Sequence, residues 1–90
     1  MKLAPSAGAT GQATTLTLSW NGSSGATAYE WCVLPATVQC GEWTDIGQVT
    51  SKLVTGLPGN TVYQWQVRAR NAYGVVEADA GNWWTFRTGQ

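Results

Sequence analysis

Residues 60–74 read NTVYQWQVRARNAYG, and the period of this stretch decides the fold class. Tyr63, Trp65, Val67 and Ala69 fall on one face of an extended chain, with Gln64, Gln66, Arg68 and Arg70 on the other. A helix would need its apolar residues at i, i+3, i+4 and i+7. Those offsets here mix aromatic rings with glutamines and arginines, so no continuous apolar stripe forms. The stretch predicts a half-buried β-strand that stops in a glycine-bearing turn.

Working outward, TLTLSW (15–20) repeats the alternation, with Leu16, Leu18 and Trp20 opposite Thr15, Thr17 and Ser19. NGSSG (21–25) is turn chemistry, because Asn and Gly tolerate positive φ. AYEWCVLP (28–35) sets Tyr29, Trp31 and Val33 against Glu30, Cys32 and Leu34, until Pro35 deprives the ladder of a donor. Further strands are expected at 40–46, at 50–55 and, as WWTFRT, at 83–88. Residues 71–82 are expected to form a long connection, and residues 1–12 the end of an interdomain linker that runs into a first edge strand. About seven short strands at this spacing predict an all-β, two-sheet antiparallel sandwich, with residues 1–90 as a single domain.

A chain of 90 residues buries roughly 62–65% of the surface it exposes when unfolded, so its core must be economical. Six Trp and three Tyr stand against one Phe and one Met, and large rings therefore carry the interior. Lys and Arg balance Asp and Glu at five each, and this sparse charge offers no basic field to nucleic acid or to a membrane surface. No apolar run approaches a membrane span, and no signal-peptide run follows Met1-Lys2; the targeting signal of an exported parent would lie outside these residues.

Catalytic vocabulary is thin. The lack of histidine removes the usual imidazole base and the commonest zinc ligand. No GxSxG, Walker loop or HExxH occurs. Paired carboxylates for glycoside hydrolysis need a cleft that a sandwich of this size hardly supplies. Glu77 and Asp79, with Asn71 and Asn82 as their near polar neighbours in sequence, fall short of the six or more oxygens of a calcium site. The expectation is a non-enzymatic, monomeric chain without cofactor or metal.

Taken together, LTLSW with Trp20, GATAYEWCV with Tyr29, LVTGLPGNTVYQWQVRARNAYG and the closing WWTFRT resemble a fibronectin type III domain over nearly the whole chain. The resemblance implies an immunoglobulin-like topology with strands one, two and five in one sheet and three, four, six and seven in the other. It also implies chain ends at opposite poles. Leu57-Pro58-Gly59-Asn60-Thr61-Val62-Tyr63 is similar to a tyrosine corner, in which the Tyr63 hydroxyl bonds backbone just upstream and avoids roughly 1–3 kcal/mol of unsatisfied burial. The even alternation and Trp-heavy late strands look more like the copies found in secreted bacterial enzymes and surface proteins than like those of animal matrix proteins, which implies an extracellular accessory module. The family's adhesive Arg-Gly-Asp tripeptide does not occur in NAYGVVEADAG.

Cys32 and Cys40 depart from that family, which usually lacks disulfides. Both have outward parity, and a hairpin symmetric about Ala36 would set them opposite each other on neighbouring strands. A bond there would contribute roughly 2.5 kcal/mol by loop closure. Two free thiols are the alternative; a redox or metal role is disfavoured by the C-x7-C spacing.

For the aromatics, inward parity assigns Leu18, Trp20, Tyr29, Trp31, Trp65, Val67, Trp84 and Phe86 to the core. Trp43, Tyr73 and Trp83 remain as candidate ligand contacts, to be weighed against covering a sheet edge or meeting a neighbouring domain. The resulting expectation is a noncatalytic spacer or protein-interaction module, whose partners are neighbouring domains or another protein. The alternative is a carbohydrate-binding module that stacks polysaccharide on those three rings. A protein partner is expected at the loop cluster of residues 21–26 and 72–81.

Overall fold

The computed structural model describes residues 2–22 and 25–89. These residues form nine strands and one 3-10 turn (Ala78–Gly81), with no α-helix among them. Strands β1 (Lys2–Ala4), β3 (Leu16–Trp20) and β6 (Ser51–Val54) make a three-stranded antiparallel sheet in the order β1-β3-β6. The larger sheet runs β2 (Ala9–Gln12), β9 (Trp84–Thr88), β7 (Val62–Asn71), β4 (Ala28–Pro35), β5 (Thr44–Gly47), and β8 (Gly74–Glu77) also pairs with β7. The two sheets close on each other as a β-sandwich.

Alternation in sequence becomes burial in space. Tyr63, Trp65 and Val67 of β7 join Leu18, Trp20, Tyr29 and Phe86 in one buried cluster, while Trp31 and Trp84 are half-buried against its margin. Full burial of such a side chain is worth roughly 1.5–3 kcal/mol. The rings meet in tilted, stacked and edge-on pairs: Trp20 with Tyr29 at 6.0 Å, Tyr63 with Phe86 at 5.7 Å and Trp65 with Trp84 at 6.3 Å between centroids.

Three elements differ from the sequence expectation. Residues 2–12 are not a trailing linker: β1 joins the smaller sheet, and after the cis Ala4–Pro5 peptide β2 crosses to the larger one, where it runs parallel to β9. The supposed long connection at 71–82 begins as a tight hairpin instead, in which the Asn71 side chain accepts a hydrogen bond from the Tyr73 amide at 2.8 Å and Asn71 pairs with Gly74. The fourth expected strand starts only at Thr44, so the chain from 36 to 43 is a loop.

The final strand is therefore split. β8 covers Arg68 to Asn71 of β7, β9 covers Val62 to Trp65, and the 3-10 turn bulges between them. Asp79 sits in that turn at φ 53, a left-handed conformation that aspartate tolerates better than most residues.

Candidate functional site

The gap between β8 and β9 is filled by side chains. Gln66 has the outward parity expected of it but is completely buried, because its amide turns into the gap and replaces the missing strand. Its Oε1 accepts from the Val67 amide at 3.0 Å and from Lys2 Nζ at 2.7 Å, while its Nε2 donates to the Ala78 and Asn82 carbonyls. Lys2, reaching over from β1, completes the plug. Its ammonium finds three acceptors: Gln66 Oε1, the Asn82 carbonyl at 2.7 Å and Asp79 Oδ2 at 2.8 Å. It also lies 5.3 Å from the centre of the Trp84 ring. Burial lowers the Lys2 ammonium below its ordinary range, against the opposing pull of Asp79 and Glu77. Burial alone would raise the Asp79 carboxyl, but the hydrogen bonds and charge of Lys2 outweigh it and hold that group below its ordinary value. With every ammonium proton engaged, this cluster is a structural tie.

Tyr63 corrects the expected corner. Its ring is buried and Leu57 packs against the same cluster, yet its hydroxyl makes no hydrogen bond among the described residues. The reason is that Thr88 occupies the corner: its buried hydroxyl donates to the Pro58 carbonyl at 2.7 Å and accepts from the Thr61 amide at 3.0 Å.

Cys32 and Cys40 form a disulfide, with Cα atoms 6.3 Å apart. They are not opposed across a ladder. On β4 the partners of Glu30 and Trp31 in β5 are Asp45 and Thr44, and Cys40 lies in the preceding loop. The bond therefore pins the 36–43 loop onto the outer face of the larger sheet.

That loop delivers Trp43 to Trp83. Their rings meet at 5.7 Å and 52°, both half-buried and both outside the core cluster. Arg68 lies over one face of Trp43 at 4.3 Å from its centre, and Glu30, directly opposite on β4, holds the Arg68 guanidinium at 2.6 Å. Arg70 continues the row to Glu30 at 3.5 Å and to Asp45. Trp43 and Trp83 line a depression of about 330 Å³ together with Gln39, Cys40, Gln64 and Glu77.

Tyr73, the third candidate, stands apart. At the tip of the β7–β8 hairpin it is 98% exposed and lines a different depression with Val75 and Val76, which are exposed as well. Of the loop cluster expected to meet a protein, Ser23 and Ser24 lie outside the described residues. The sequence placed Glu77 in the loop cluster expected to meet a protein and Gln64 on a solvent face, but neither beside an aromatic pair; that pair needs the 36–43 loop to fold back, which no local pattern encodes.

No group of three or more metal-ligating side chains occurs among the described residues, and none of their helices is long and apolar enough to cross a membrane. No protein-family model matches the chain.

Proposed function

We propose that the chain is a fibronectin type III-like module, a noncatalytic spacer and interaction unit of a larger extracellular, bacterial protein. The observation that carries this reading is its shape. Lys2 pairs with Trp20 at the end of β3 that leads into the 21–27 loop, whereas Gly89 bonds Asn60 and Gln12 at the other end of a body measuring 41 × 21 × 21 Å. Neighbours attached at the two ends would be held a full domain length apart. The division of strands supports the fold assignment, since β1, β3 and β6 face a sheet containing β4, β5, β7 and β9. The disulfide supports an oxidising compartment. The exposed Tyr73, with Val75 and Val76 of β8, supports contact with a neighbouring protein surface.

The complete gene product tests this. It should carry folded domains before and after residues 1–90, and small-angle scattering should place them about one module length apart. A product made of these residues alone, or neighbours folded back against each other, would refute the spacer reading.

A further inference from the structure

We propose that the depression between Trp43 and Trp83 is a binding site for a neutral saccharide, taking one pyranose unit of a polysaccharide or oligosaccharide. The inference goes beyond the spacer reading and does not depend on it, because a chain that proved to stand alone would still carry the site.

Both indoles are free of the core, so they are not needed to fill the sandwich. They are also held in place in advance. Arg68 covers one face of Trp43 and is itself clamped by Glu30, while the disulfide ties down the loop that carries Gln39 and Trp43. A site ordered before its ligand arrives loses less entropy on binding. Its volume of about 330 Å³ falls at the small end of ligand pockets.

The lining has two kinds of chemistry that match the two sides of a sugar ring. Indole faces carry negative potential and attract the polarised C–H bonds along the apolar face of a pyranose. Gln39, Gln64 and Glu77 stand beside the rings and supply acceptors and amide donors suited to hydroxyl groups. The Gln64 Nε2 is already bonded to the Val38 carbonyl, which fixes that amide in orientation. Charge selects within the class: the Glu77 carboxylate in the lining disfavours acidic glycans. A quaternary ammonium ligand would meet the repulsion of the Arg68 guanidinium, which already lies over one face of Trp43.

The experiment titrates the intact, oxidised chain with cellohexaose, xylohexaose, laminarihexaose and maltohexaose, with tetramethylammonium as a competing probe, and reads the six indole N–H signals by NMR. At least one hexasaccharide should move the signals of Trp43 and Trp83 and leave those of buried Trp20 and Trp65 in place. Trp43→Ala and Trp83→Ala should each weaken binding about tenfold or more. Trp43→Phe, which keeps a flat ring, should recover part of it, and Tyr73→Ala should leave it unchanged. An unaltered spectrum with the disulfide intact and the signals of Trp20 and Trp65 native would separate lost contact from lost fold in each variant. Silence with all four sugars, movement with tetramethylammonium alone, or binding that survives both tryptophan substitutions overturns the proposal.

Discussion

Lys2 and Asp79 stand 77 residues apart in sequence and are joined by an ion pair of 2.8 Å. Around it the ammonium satisfies Gln66 and Asn82, so a single cation closes a gap that hydrogen bonds between strands leave open. Lys2→Met keeps the apolar stem and removes the charge. Asp79 retains some contact with water, so the cost should fall below the roughly 3–5 kcal/mol of a fully buried pair. We expect about 1–3 kcal/mol from the Asp79 carboxylate left without its cation and from the lost ammonium bonds to Gln66 and Asn82, read as a lower midpoint in urea.

The same pair sets a pH dependence. The folded Asp79 carboxyl titrates below 3.8, so its contribution is present above that value and is lost as pH falls from there through the folded value. Urea midpoints from about pH 5 down to about pH 2 should drop more steeply in the wild type than in Asp79→Asn. Lys2 acts in the same sense, in a far more alkaline window. Its folded value lies below 10.5, so the folded chain releases that proton first, and this group adds stability as pH climbs toward 10.5.

Gln64 and Gln66 share a face of β7, yet only Gln66 plugs the sheet. Gln66→Ala would leave the Val67 amide without its acceptor and the Lys2 ammonium one acceptor short, and the expected loss is about 1–3 kcal/mol. Gln64→Ala should cost about 0.5 kcal/mol or less. Equal effects in denaturation would contradict the plug.

The corner at Pro58 invites a paired substitution. Tyr63→Phe removes a hydroxyl that bonds nothing among the described residues and should change stability by about 0.5 kcal/mol or less. Thr88→Val removes the hydroxyl that bonds Pro58 and Thr61 and should cost about 1–3 kcal/mol. The reverse ranking in thermal melts would restore the tyrosine corner.

Reduction of Cys32–Cys40 should lower stability by roughly 2.5 kcal/mol and release the 36–43 loop. Trp43 fluorescence should then shift red while the far-ultraviolet dichroism keeps its β form. Two reactive thiols in unfolded, unreduced protein would exclude the bond.

Period-two patterning in β3 and β9, and in Tyr63, Trp65 and Val67 of β7, was legible because the inward residues there are buried, and a slip of one residue would turn Trp65 or Phe86 out to water. The short strands were not legible. β1, β2 and β8 carry three or four residues each, too few to show a period. Gln66 shows the limit of parity itself: the alternation gives the side of the sheet but not whether the neighbouring strand is continuous. Among the candidate contacts, parity set Trp83 apart from Phe86, but the meeting of Trp83 with Trp43 depends on a cross-link and on a loop without regular structure.

The parallel course of β2 beside β9 bears on how the domain would respond to tension. A pull on residue 2 draws β2 one way and a pull on residue 89 draws β9 the other, so the bonds from Gly8 to Thr85 and from Gly89 to Gln12 are strained together and not peeled in turn. Such a geometry resists rupture by shear, a property suited to a link between bodies tugged in opposite directions.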